Sequence, residues 1–553
     1  MTLHTSSASV PYPPSDSDSL PNDISLEEKL SLLADKTDLV YEKDIESDSF
    51  YTLSSPTSTS PPLWLTAKTY FRSVPALSKA THIVRFFIAL LPSFVQTRLS
   101  GEISKPARLL PTSHLDGMRG LAAFFVFICH LFYNCYTITV GFGQGEPGQN
   151  NNMLQLPIIR LLYSGPPMVA MFFVISGYAL SLKPLKQARA QQWDALLNTL
   201  TSSTFRRGMR LFLPTTASTF LVVVMLRLEW YEGTREFASN KDFMRNVLEK
   251  HPKRFETLEL QLHHWAWKVF SFVHVWGWEN FGGSTPYDVH LWTIPVEFRS
   301  SLVLFLTLLG LARTKVWMRL TLLVGVMWFT IRGDRWEMVL FLAGMFLAEL
   351  DLIRGPLTPS SPGATEATAT LAPQSEKEIE APPRVPKIVS HLMRYIWVAL
   401  GILGLYFMSQ PDSSFDSTPG WMWLSTFIPK WYTQRYRFYQ CLGSVIFVWA
   451  TNNSQILQRP FNHPFAQYLG KISYALYLVH GPVIHVVGYR VEEWCWSVTG
   501  RDTPMKYNLG FFLSTLVIVP VTVWIADLFW RGVDTPCVRF ARWFEKRCCV
   551  LDT

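Results

Sequence analysis

Ten apolar stretches limit what this chain can fold into more than any other feature of it. They lie at about 117–137, 161–182, 210–228, 290–312, 316–331, 337–353, 392–409, 437–452, 471–489 and 510–530, with 316–331 and 437–452 the shortest. Each is long enough, or nearly so, to cross about 30 Å of hydrocarbon as a helix rising 1.5 Å per residue. Inside a bilayer every backbone N–H and C=O must be satisfied within the protein, so stretches of this kind fold as helices. The expected fold is all-α, a polytopic integral membrane protein with about ten transmembrane helices. Charge content agrees: 17% of residues are charged, against roughly 25% in soluble chains. The 21 Trp residues suit rings anchored at the membrane–water boundary.

The polar segments frame these stretches. Residues 1–75 are rich in Ser, Pro and Asp and cannot bury enough apolar surface to order themselves, so they are expected to form a disordered cytosolic tail. No apolar run preceded by positive charge stands in 1–62, so an internal helix is expected to direct insertion. Residues 76–109 hold Ile83–Val95, flanked by Arg85 and Arg98, which reads as an interfacial amphipathic helix or an eleventh span. The low-complexity stretch 355–388 reads as a disordered linker. Residues 229–289 read differently. Trp265, Trp267, Trp276 and Trp278 crowd their second half, as in a structured segment on the outer face that caps a cavity, or a plain interfacial anchor. Basic residues cluster in the loop after the second span (Lys183, Lys186, Arg189, Arg206, Arg207, Arg210) and after the fourth (Arg313, Lys315, Arg319). The positive-inside rule then places both termini, including the tail 536–553, in the cytosol. The net charge of +8 is scattered, and no basic stripe with interleaved aromatics marks a nucleic-acid partner.

Chemistry is expected where ionisable residues interrupt the spans, because such residues are costly in lipid unless they face a polar cavity. His114–Tyr133 reads HLDGMRGLAAFFVFICHLFY. Arg119 and His130 are eleven residues apart, about 1100° of helix and some 20° from three full turns, so they share one face roughly 16 Å apart. Asp116 can pair with Arg119 at i,i+3. Gly117 and Gly120 admit a neighbouring helix or a ligand close to the backbone. Glu297 and Arg299 sit in LWTIPVEFR, as a mutually neutralising pair or with Glu297 orienting a base. Ser473, Tyr477 and His480 share one face of the ninth span, and Ser176 and Tyr178 lie in MFFVISGY of the second. Four polar clusters on four spans predict a shared hydrated cavity. No GxSxG, HExxH or Walker A pattern occurs. The pairs His263/His264 and His480/His485 do not suit one helix face, so no metal is expected. The seven Cys residues include no CxxC. Cys129 points about 100° from His130, and Cys548 and Cys549 read as cytosolic thiols or palmitoylation sites.

These motifs, in this order, resemble the acyltransferase 3 family of multispanning membrane acyltransferases, in a form like its fungal members. The resemblance covers about 110–535 and rests on LDGMRG with the Arg119-x10-His130 spacing, FFVISGY (172–178), RRGMRLFLP (206–214), LWTIPVEF (291–298) and SYALYLVH (473–480). It implies a ten-helix fold and transfer of an acyl group, often acetyl, from a thioester donor such as acyl-CoA to a hydroxyl of a small-molecule secondary metabolite, a glycan or a lipid. It implies His130 as the catalytic histidine, Arg119 as a donor-binding residue, and Glu297 and His480 as the acidic and late-histidine positions. Arg206, Arg207 and Arg210 are expected to attract the phosphates of acyl-CoA. His130 would act as general base or as nucleophile. The rival reading is a non-enzymatic membrane protein, such as a proton-coupled transporter, on the same scaffold.

Overall fold

The computed structural model describes residues 87–99, 109–144, 150–276, 283–355 and 387–550. The whole N-terminal tail 1–75, the 355–388 linker apart from its edges, and Trp278 lie outside them. Helices α1 Ser113–Phe132, α2 Gly165–Arg189, α3 Trp193–Arg227, α4 Glu232–Ser239, α5 Leu258–Val273, α6 Thr293–Leu311 and α7 Val316–Arg332 form the first half. The second half holds α8 Trp336–Arg354, α9 Lys387–Met408, α10 Phe438–Asn452, α11 Pro464–Val483, α12 Tyr489–Thr499, α13 Pro504–Phe529 and α14 Thr535–Cys548. No strand of a sheet occurs among the described residues, only two isolated bridges. A helix stands at each of the ten expected stretches.

Among the described residues, six helical stretches are long and apolar enough to cross a membrane: Ser113–Phe132, Gly165–Arg189, Trp193–Arg227, Val289–Leu311, Pro464–Thr499 and Pro504–Cys548. The other four stretches fall short for identifiable reasons. Helices α7 and α10 have 17 and 15 residues, and the described apolar part of α9 runs over Leu392–Met408. Helix α8 carries Glu337, Glu349, Asp351 and Arg354, and its acids turn inward. Glu337 pairs with Arg299 of α6 at 3.3 Å, and Glu349 with Arg189 of α2 at 3.2 Å and Arg319 of α7 at 3.6 Å. Helix α7 is correspondingly inside out, with Trp317, Trp328 and Phe329 exposed and Arg319 buried. That polarity suits a helix with lipid on one side and ion-paired neighbours on the other.

Helices α1 and α11 form the centre. Gly120 lies against the backbone of Leu469 and Gly470, and Gly117 against the carbonyl of Phe461, leaving no room for a Cβ. Of the two partners expected for these glycines, the structure supplies the helix. One apolar cluster joins Val126, Phe173, Phe341 and Val448, and a second joins Phe127, Leu131, Leu476 and Phe511. Ile83–Phe86 lies outside the described residues. The remainder of that expected amphipathic segment is broken at Leu91–Pro92 before the short helix Ser93–Leu99. It is tied to α13: Ser93 Oγ donates to Asp527 at 2.6 Å, and Arg531 donates to the carbonyls of Ala89 and Leu91. Helix α14 lies along α3, with Arg206 on Glu545 at 3.1 Å and Phe205 stacked on Phe544.

Candidate active site

Polar side chains gather at two levels of the α1–α11 pair. At the N-terminal level of α1, Arg119 donates to Asp116 at 2.8 Å, the expected i,i+3 pair, and to Ser473 Oγ of α11 at 3.3 Å. Arg210 of α3 lies within charge reach of Asp116. Arg207 donates to Glu297 at 2.8 Å and to Ser301 at 3.1 Å, and Ser176 donates to the same Glu297 oxygen at 3.3 Å. Glu297 therefore binds α3 and α2 to α6. It does not pair with Arg299, because residues two apart on a helix point about 200° apart. Tyr178 donates to Asp351 at 3.0 Å, which Asn452 also reaches at 3.0 Å.

The second level lies three turns along α1. His130 stacks on His480 of α11, with ring centroids 5.2 Å apart, and meets His290 edge-on at 4.2 Å. Arg119 and His130 thus both turn toward α11, as their spacing predicts. Tyr477 lies between the levels, taking a hydrogen bond from Thr293 at 2.7 Å and donating to the carbonyl of His290.

Local sequence explains each placement. Asp288 caps the short turn Val289–Trp292 before α6, accepting from the His290 backbone N–H at 2.9 Å and from its Nδ1 at 2.8 Å. One carboxylate therefore sets both backbone and ring. In α11, Pro482 lacks an N–H and frees the carbonyl of Leu478, which Ser218 of α3 takes up at 2.7 Å. His480 directs Nδ1 at the carbonyls of Leu476 and Tyr477, 3.2 and 2.8 Å away. A π-helical turn over Ile484–Gly488 then swings His485 toward Glu249, whose two oxygens lie 2.7 Å from His485 Nε2 and 3.0 Å from His290 Nε2.

Glu249 belongs to the connection between α4 and α5. Burial pushes its carboxyl up, but ion pairing with His290 and His485 outweighs this and holds it well below the usual range. His251 beside it is pushed down to about 3 by burial and by His485, against the hydrogen bond its Nδ1 donates to the Tyr231 carbonyl. A cleft lined by Tyr231, Lys250, Tyr287, Asp288, His290 and His485 adjoins the histidines here.

A family model for the acyltransferase domain of the acyltransferase 3 family matches residues 113–531. The chain belongs to that family. It is an acyltransferase. It is 33% identical over 473 residues to O-acetyltransferase PaAT-1 of Phomopsis amygdali, covering 83% of this chain and 88% of that one. It is 25% identical to acyltransferase clz18 of Cochliobolus lunatus (77% and 94% covered) and to acyltransferase R4 of a Phoma species (78% and 96%). No solved structure matches.

In this family member, the residues expected from the sequence divide between the two levels. Asp116, Arg119, Ser176, Glu297, Arg206, Arg207 and Arg210 belong to the first, His130 and His480 to the second, and Tyr477 bridges them. Sequence reasoning missed His290, Asp288 and Glu249. Nitrogens of His130, His290 and His480 lie within 4.8 Å of one another, a gathering of three helical segments that no single-face spacing reveals. The available signal was DVH, immediately upstream of LWTIPVEF, where an acid two residues before a histidine opens an apolar helix.

Proposed function

We propose that this acyltransferase moves an acyl group, acetyl in the first instance, from acyl-CoA to a hydroxyl of a small-molecule secondary metabolite. The observation that carries the proposal is the column from Arg119 to His130 along one face of α1, roughly 16 Å long and bounded throughout by α11. That column suits the long, narrow pantetheine arm of CoA. Phosphates would rest near Arg206 and Arg210 at the cytosolic end, and Arg119 would steer the arm. Arg207 is buried on Glu297, whereas Arg206 stays partly exposed beside Glu545, so in this reading Arg207 mainly holds α3 against α6. The thioester then reaches His130, which takes the proton of the acceptor hydroxyl as its oxygen attacks the carbonyl. The name O-acetyltransferase carried by the 33%-identical relative supports a hydroxyl as acceptor.

Labelled acetyl-CoA supplied to purified protein with an extract of the producing cells tests this. Transfer to an extract component is expected. It should fall at least a hundredfold in His130→Ala, about the usual scale for loss of a general base. Arg119→Ala should lose transfer as well, and both variants should still insert and accumulate. Transport of an unmodified solute without thioester consumption would overturn the reading, and a stable acetyl-His130 adduct would replace the base with a nucleophile.

A further inference from the structure

Three buried ring nitrogens at the second level make no hydrogen bond: Nδ1 of His130, Nε2 of His290 and Nε2 of His480. They belong to the three residues whose nitrogens converge within 4.8 Å. Buried polar atoms are normally satisfied, so three unsatisfied ones around one point call for a small polar group bound among them. Partners fix what two of the three can do. The carbonyls of Leu476 and Tyr477 only accept, so His480 Nδ1 carries the proton and its Nε2 presents a lone pair. His290 is the opposite case. Its Nδ1 is 2.8 Å from Asp288, and its Nε2 is 3.0 Å from Glu249. Anionic carboxylates on both sides make both nitrogens donors, that is, an imidazolium. The Glu249 contact is an ion pair without hydrogen-bond alignment, so the Nε2–H retains donor capacity toward the centre of the cluster.

We propose that His290 is a further catalytic residue: an imidazolium, held charged by Asp288 and Glu249, that donates from Nε2 to the oxygen of the reacting carbonyl while His130 serves as base. This deepens the acyltransferase reading above and rests on it. The acceptor's O–H proton passes to His130 Nδ1, and the acceptor oxygen bonds to the thioester carbon. The carbonyl oxygen becomes an oxyanion held by the His290 N–H, in the manner of preorganised oxyanion donors. Collapse of this intermediate breaks the C–S bond, and His130 returns the proton to the departing CoA sulfur. His480, stacked on His130, holds that ring in place for the proton transfer. Three histidines this close also have the makings of a metal-ligand set. A protonated His290 has no lone pair to offer a cation, so the two arrangements exclude each other.

The charge state of His290 can be read without knowing the acceptor. The full chain, labelled with 15N-histidine and held in lipid nanodiscs, should show by NMR one imidazolium that persists at pH 8 and disappears in His290→Gln. His130 and His480 should be neutral there. Metal analysis of the same sample should show no stoichiometric zinc. A neutral His290 at pH 8, or one equivalent of zinc lost in His290→Gln, overturns the proposal. The wild-type spectrum and metal content decide between these outcomes even if the variant fails to fold. Neither measurement depends on acyl transfer being observed, so failure here is distinct from failure of the proposed function.

Discussion

At the residue scale, the second level depends on a position with no side chain. A Cβ on Gly481 would lie 2.7 Å from His290 Nδ1 and 2.9 and 3.0 Å from the two oxygens of Asp288. The missing methyl is what lets α11 close over this acid–histidine pair. Gly481→Ala should therefore push Asp288 off His290 and lower turnover at least tenfold, about 1.4 kcal/mol of barrier, without reducing the amount of protein in the membrane. Gly310→Ala, where an added Cβ meets nothing within 4 Å, is the control and should leave turnover unchanged. Equal activity of the two variants, measured by acetyl-CoA consumption per mole of enzyme, would falsify the claim that this contact sets the site. Gly481 is not legible in the sequence for a physical reason: a glycine in an apolar helix looks the same whether it faces lipid or a carboxylate.

At the element scale, the connection from α4 to α5 caps the site through two ionisable groups. Glu249 reaches His290 and His485, and His251 lies on Tyr231 and against the ring of His485. The tryptophans of 229–289 point to a structured cap or a plain interfacial anchor, yet the residues that dock the segment are an acid and a histidine upstream of them. Helix α5, which carries Trp265 and Trp267, leaves Trp267 and Phe270 exposed, as an interfacial anchor would. Docking by ionisable groups gives a pH dependence. His251 titrates at about 3 in the folded chain and at about 6.5 when unfolded. Between those values the released segment binds the extra proton, so docking is strongest above about pH 6.5 and weakens as pH falls. Glu249, held below its ordinary value, adds a loss of the same sign at lower pH. Amide hydrogen exchange across 240–257, corrected for intrinsic rate, should be faster at pH 5 than at pH 7.5, while α1 and α11 remain protected. Exchange in this segment that ignores pH would remove these two groups as its fastening.

At the scale of the whole molecule, the number of helices that cross the bilayer decides what surrounds the site. Periodicity and apolar length were legible for every helix expected to span, because they are local properties. The inward-facing charges of α8 were not, because their partners lie on α2, α6 and α7. Contacts between the ends of the bundle bear on the count. The backbone N–H of Asp412, in the connection between α9 and α10, donates to the carbonyl of Thr139 beyond the His130 end of α1 at 3.0 Å. Asn452, the last residue of α10, meets His114 at the opposite end of α1, also at 3.0 Å. Helix α10, although only 15 residues long, thus runs between the same two levels as α1 with the aid of the turn Arg435–Arg437 that precedes it. A chain with ten crossings places the loop before α7 in the cytosol and the connection between α9 and α10 on the other side. A chain with six crossings leaves both on one side. Added-cysteine variants Lys315→Cys and Asp416→Cys, read by site-resolved labelling, separate these arrangements, since both positions are exposed. In sealed vesicles with the cytosolic face outward, an impermeant maleimide should label Lys315→Cys and the exposed native Cys548. It should reach Asp416→Cys only after detergent. Labelling of all three without detergent would place α7–α10 on the cytosolic surface. The column from Arg119 to His130 would then lose the helices that now screen its α2 side from lipid.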